Sequence, residues 1–193
     1  METLEWLTRG VHALAIASLP LTFVGALALA RQLDSSARLS LLALVIYGFA
    51  LIAIMIAASM SGFVAPSVVR QLIAGDPLTD SRRLFLDYTF RLNQAFADVF
   101  TFASCVAILL WSFLMVRTRF SKALGLYGTV MSLAILSTRL TGLLHLDAHG
   151  FGIVTFTQSI WLIITGLMLR RVAGRETWAG MEKTLDPGTS AGA

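Results

Sequence analysis

The sequence is short of most of what a soluble enzyme is built from. Charged residues make up only 13% of its 193 residues, against roughly 25% in an ordinary soluble domain. Cys105 is the one cysteine, which excludes an internal disulfide and a multi-thiolate metal centre. Histidine occurs at His12, His145 and His149 only, so any imidazole site must draw on those three. The formal charge of +4 is small, and its cations lie between apolar runs rather than in one basic patch, so nucleic acid is not an expected partner. No catalytic motif and no internal repeat is present.

Apolar residues fill the remainder, at 56% of the chain with a mean hydropathy of +0.77. Five runs are long enough to cross a hydrocarbon layer of about 30 Å, which takes roughly 20 helical residues: Val11–Ala30, Leu39–Gly62, Ala95–Val116, Ala123–Leu144 and Phe151–Leu169. Lipid offers no hydrogen bonds to backbone groups, and the short alternating strands of a barrel are missing, so each run is expected as a helix. The expected fold is an all-α polytopic membrane bundle of five helices forming one domain over residues 11–172. Residues 1–10 precede it and 173–193 form a tail whose end, "LDPGTSAGA", is expected to be disordered. The opening "METLEWLTRG" carries two acids and one arginine, so it lacks a positive n-region and the first run reads as a retained span. Pro20 is expected to kink that span.

Charge orients the bundle. Arg31, Arg38, Arg117, Arg119, Lys122, Arg170, Arg171, Arg175 and Lys183 fall on one side, nine cations in all, against four on the other at Arg9, Arg70, Arg82 and Arg83. The positive-inside rule puts the C-terminus in the cytoplasm and the N-terminus outside, as an odd span number also requires. Trp6, Trp111 and Trp178 fall where an aromatic belt is expected. In the outer loop, "SVVRQLIA" suits a short helix on the membrane surface and "GDPLTDS" a turn.

The third run is unusual. At 100° per residue, Asp87, Arg91, Gln94, Asp98, Thr101 and Cys105 lie within about 80° of one another, a single helical face. With the helix extending from about Ser81, its first turns stand in or above the headgroups, so Asp87, Arg91 and Gln94 cost little. Asp98 is the costly group. A lone charge at mid-membrane costs about 2.5–3.5 kcal/mol, and less toward the edge. Arg139 on the fourth run lies about 24 Å from the inner face and Asp98 about 27 Å, so the two are expected to pair. Two readings follow: a structural bridge between the third and fourth spans, or a ligand site in an outward-facing cavity.

The histidines are the other candidate. If their segment is helical, His145 and His149 share a face, and with Asp147, Asp98 or His12 nearby they suit a divalent metal. The alternatives are ordinary polar loop residues, a proton sensor or a haem ligand. Alkaline ceramidase and related membrane hydrolases hold zinc through three histidines and an aspartate; this chain has the three histidines without that group's seven helices. Small residues at helical spacing, namely Ala97–Thr101–Cys105, Ala58–Gly62, Gly152–Thr155–Ser159–Gly166, Gly125 and Gly128, are expected to let helices approach closely. Gln158 is expected to bond between helices or to line a cavity.

"FSKALGLYGTVMSLAILSTRLTGLL" followed by "FTQSIWLIITGLMLRR" resembles a widespread group of uncharacterised bacterial multi-pass proteins of the domain of unknown function 4386 type. These carry a short basic loop, a Gly-rich span and a last span with W-L-x-x-x-G-x-x-L, here Trp161, Leu162, Gly166 and Leu169. The resemblance implies a bacterial cytoplasmic membrane and no particular chemistry. The functional expectation is a non-enzymatic membrane subunit or small sensor whose outward polar cluster binds a partner or small ligand. The alternatives are a metal-dependent hydrolase or redox protein using His145 and His149, and a small-solute transporter with Asp98 and Arg139 on its path.

Overall fold

The computed structural model of the protein describes residues 2–33, 37–73, 79–118 and 120–185. Every regular element among them is helical: α1 (Glu2–Gln32), α2 (Ala37–Ser59), a π-helical turn (Met60–Val64), α3 (Ala65–Ile73), α4 (Asp80–Arg117), α5 (Lys122–Leu140) and α6 (Ala148–Leu185). Five stretches are long and apolar enough to cross a membrane: Trp6–Gln32, Arg38–Gln71, Asp80–Arg117, Lys122–Leu140 and His149–Val172. The five-helix expectation therefore holds, with shifted ends. The second run continues through the π turn into α3, so the surface helix follows α2 without a break. α5 stops at Leu140 instead of Leu144. Thr141 caps it, Gly142 turns the chain at φ 73°, and the Leu144 amide closes back on the Thr138 carbonyl at 2.9 Å; a left-handed residue after the cap is a routine helix stop, and glycine adopts it without steric cost. α1 continues through Pro20. Of the expected turn at residues 75–81, residues 75–78 lie outside the described residues, while Thr79 caps α4 and Asp80 and Ser81 open it; of the expected disordered end at 185–193, Leu185 closes α6 and 186–193 lie outside the described residues, and the first part of the tail is a helical continuation of α6.

Local chemistry marks the helix ends. Thr79 caps α4 by accepting the Arg82 amide at 3.4 Å, with Asp80 in the first turn and Arg117 in the last. Ser121 caps α5 by accepting the Leu124 amide at 3.3 Å. Asp80 and Arg117 each oppose the partial charge of their helix end. Ser40 reaches across the α1–α2 connection to donate to the Ala30 carbonyl at 3.0 Å.

α4 is the hub. It packs along α2 on one side and α5 on the other, while α1 lies on α2 and α6 spans α5 and α1. Of its most apolar stretch 56% is buried, against 17% for α1. Trp111 sits fully buried at the centre, edge-on to Tyr47 at 5.4 Å and stacked on Trp161 at 6.4 Å. This corrects the belt assignment for Trp111: its indole belongs to the core. Trp6 is exposed, and the side chain of Trp178 lies outside the described residues. Outward faces are as apolar as the interior, with Leu14, Leu21, Phe49, Val130, Phe156 and Ile163 all exposed. An aqueous protein would not present that surface. In lipid it costs nothing, and it also means that burial of oil gives little force between helices, leaving close packing and polar contacts to hold them.

Close packing comes from α5. A Cβ on Gly125 would meet the Ser112 carbonyl and a Val116 methyl, each at 2.7 Å, and one on Gly128 would strike the Ser112 hydroxyl and the Trp161 ring. Ala97, Thr101 and Cys105 are likewise buried against neighbours. On α6 the expected stripe is turned the wrong way. Gly152, Ser159 and Gly166 are exposed, and the inward face is Val154–Gln158–Trp161–Thr165. Gly128→Ala is expected to destabilise the bundle by about 1–3 kcal/mol, as overpacking does. Gly152→Ala, which meets nothing within 4 Å, should be neutral or slightly stabilising through helix propensity. Thermal unfolding of both variants in the same detergent or nanodisc checks the contrast; equal effects would contradict the packing assigned to α5.

Candidate functional site

Asp98 faces α5 from the middle of α4, and Arg139 stands in the last turn of α5, where its charge also opposes the helix's negative end. The two meet fork to fork. Arg139 Nε donates to Asp98 Oδ1 at 2.6 Å and Nη2 to Oδ2 at 2.9 Å. Nη1 points to the Leu144 carbonyl at 3.5 Å. Bidentate guanidinium–carboxylate pairs combine two charge-assisted bonds with a fixed plane. Their depths agree because nineteen residues separate Asp98 from Arg117 and seventeen separate Arg139 from Lys122, about 28 and 26 Å of helix. The pair is not sealed, since 28% of the Arg139 side chain and 31% of Asp98's remain exposed.

Because α5 ends just beyond Arg139, no helix among the described residues covers the Asp87 and Arg91 side chains further along the same α4 face. There Arg91 Nε donates to Asp87 Oδ2 at 2.8 Å, with both side chains largely exposed. Gln94 lies between the two pairs and is half-buried. Asp87, Arg91, Gln94 and Asp98 thus form one strip along α4, anchored at its inner end by the pairing of Asp98 with Arg139 of α5.

The histidines are arranged differently from the i, i+4 premise. His145 lies in the non-helical connection and His149 in the first turn of α6, both exposed. Between them Asp147 caps α6: its Oδ1 accepts the Gly150 amide at 2.8 Å and the His149 amide at 3.1 Å. The Gly150 amide foremost, with the His149 amide and the two imidazoles, holds the Asp147 carboxyl below its usual range. Gly150 admits the turn because a Cβ there would strike the His145 carbonyl. His12 is occupied elsewhere. Its Nδ1 lies 2.8 Å from the Thr8 carbonyl, and its Cβ fills the space beside Gly62, where an added Cβ would come within 2.5 Å. Among the described residues no three His, Cys, Asp or Glu side chains gather closely enough to hold a metal ion.

Sequence reasoning missed the Leu144 carbonyl beside Arg139, and it expected an interhelical bond from Gln158 without naming its partner. The Leu144 carbonyl follows from where α5 stops, which no periodicity reveals. Ser104, one residue before Cys105, receives the Gln158 amide at 2.8 Å and thereby joins α4 to α6; a glutamine inside an apolar run was the available signal. Comparisons with family models, with curated proteins and with solved structures find no match to this chain.

Two outcomes are expected. Asp98→Asn should cost about 1–2 kcal/mol, between the values for exposed and buried pairs, and adding Arg139→Gln should recover part of the loss because a stranded guanidinium is removed. Thermal melts of the four proteins check this; losses that simply add would mean no pairing. Asp147 has a folded pKa below its unfolded value, so its stabilisation is present above about pH 4 and disappears as pH falls through the depressed folded value. Asp147→Ala should lower the melting temperature at pH 7 and make no difference once the acid is protonated in both states. A melting difference that stayed constant across that acid range would contradict the cap.

Proposed function

We propose that this chain is a multi-pass integral membrane protein of non-enzymatic type, a subunit or small sensor, whose strip of Asp87, Arg91, Gln94, Asp98 and Arg139 takes a small ligand or a partner subunit from the outer aqueous side. The lipid bilayer contacts its exposed apolar faces. The excess of basic residues on the loops at the opposite end supports an outside N-terminus and a cytoplasmic C-terminus. The resemblance carried by residues 120–171 supports a bacterial cytoplasmic membrane.

The observation that carries the reading is the partial exposure of the Asp98–Arg139 pair. A sealed pair would admit no ligand, and its desolvation cost can exceed its Coulombic gain. This one lies open at the end of α5, in line with further polar groups. A ligand with carboxylate or ammonium character competes directly with either half of the pair.

Site-directed labelling tests it. Cys105 is fully buried, so the wild type supplies a low background. Gln94→Cys should react with a membrane-impermeant maleimide added outside intact cells, and Arg171→Cys only after permeabilisation. Protection of Gln94→Cys from outside labelling, or the reverse pattern, would overturn the outward-facing strip.

A further inference from the structure

Between α1 and α2 an apolar groove opens onto the outward surface of the bundle. Its volume is about 250 Å³, and Phe23, Leu44, Val45, Gly48, Phe49 and Ile52 line it. Leu44 is buried, whereas Val45, Phe49 and Ile52 are exposed. Gly48 leaves the gap open: an added Cβ would meet only the edge of the Phe23 ring, at 3.5 Å.

Helical phase leads from this groove to a cation. Arg38, Leu41, Val45, Gly48 and Ile52 follow one another at steps of three, four, three and four, so they lie on one face of α2. Arg38 is exposed and makes no ion pair among the described residues. Leu44 stands six residues beyond it and Ile52 fourteen, about 9 and 21 Å of helix. From headgroups to midplane is about 20 Å, half of a bilayer about 40–45 Å thick. The groove therefore covers the acyl-chain depth of one leaflet. On α1, Arg31 follows Phe23 by eight residues, about 12 Å toward the same end, and is likewise exposed. Asp34, the one acid between the two arginines, lies outside the described residues.

We infer that the α1–α2 groove is a binding site for one anionic glycerophospholipid, with its phosphate at Arg38 and Arg31 and one acyl chain in the groove. The trough is smaller than the pockets of about 300–1,000 Å³ that enclose small molecules, and it is open along its length, which suits a single thin chain. Its walls offer no hydrogen bond, so a polar ligand gains nothing inside it. At its headgroup end the chemistry changes to guanidinium, which takes phosphate oxygens in pairs, and basic side chains beside a membrane surface draw anionic lipid. A zwitterionic lipid has the same chains but offsets its phosphate with its own cation. The groove lies at the opposite end of the bundle from the polar strip on α4, and the inference stands apart from whatever that strip binds.

Native mass spectrometry of the full-length protein in detergent, with phosphatidylglycerol and phosphatidylcholine of equal chain length added together, tests it. The wild-type monomer should retain one phosphatidylglycerol in preference to phosphatidylcholine. Arg38→Gln should reduce that retention about fivefold. Lys122→Gln, which removes an exposed cation at the same end but on α5, across α4 from α2, should change it little. Gly48→Leu fills the groove and should abolish retention, whereas Gly48→Ala, whose Cβ makes an ordinary contact, should keep it. Chainless glycerol phosphate in excess should leave the lipid in place, a measurement that needs no variant. Equal retention of the two lipids by the wild type overturns the inference, as does an unchanged preference in Arg38→Gln or an equal loss in Lys122→Gln. Displacement by glycerol phosphate would reduce the site to a headgroup contact and overturn the groove. A lipid that stays bound in Gly48→Leu while a dimer dissociates would make the groove an interface between copies of the chain, and also overturns it.

Discussion

A hydrocarbon layer offers a carboxylate or a guanidinium no hydrogen bond, so each must bring its own partner or stay near the edge. The Asp98–Arg139 pair satisfies both conditions. It joins the hub helix α4 to α5 with two charge-assisted bonds at the level where α5 ends. Much else depends on that junction. It fixes the register of α4 against α5, and with it the seating of Gly125 and Gly128 on Ser112. It also leaves the Asp87 and Arg91 side chains without a covering helix among the described residues, which exposes that end of the polar strip.

Away from the pair, cohesion comes from fit and from neutral polar contacts. Oil on both sides of every helix removes the usual reason for helices to associate. The structure answers with glycines that admit backbone contact, a Tyr47–Trp111–Trp161 aromatic stack, and a buried amide from Gln158 to Ser104 that ties α6 to the hub. Those contacts need specific side chains at specific depths. They therefore specify one arrangement more sharply than the apolar surface could.

How much of this was legible in the sequence follows from the same physics. Twenty apolar residues in a row have one stable conformation in lipid, so the helices and their number could be read directly. The charge pair could be read because depth along a helix is arithmetic and an isolated charge demands an answer. Which face of a uniformly apolar helix turns inward is a different matter. Gly152, Ser159 and Gly166 look like a packing stripe yet face outward, because α6 turns its other side, Gln158 and Trp161 included, toward α4. Trp111 fits an interface by position but lies in the core by packing. The helix stop at Leu140, four residues before the apolar run gives out at Leu144, depends on Gly142 adopting a left-handed turn. His145 and His149 kept the right spacing for a shared face, but that turn and the Asp147 cap leave one of them outside the helix.

Opposite charges from neighbouring helices meet at one depth inside the bundle's rim. Solid-state NMR of the protein in lipid bilayers, with the Asp98 carboxyl carbon and the Arg139 guanidinium nitrogens isotopically labelled, measures that contact without altering either residue. Dipolar coupling corresponding to direct hydrogen-bond contact is the result expected. Absence of coupling, with both side chains ordered, would show that the two charges face different neighbours and would remove the junction on which the arrangement of α4 and α5 rests.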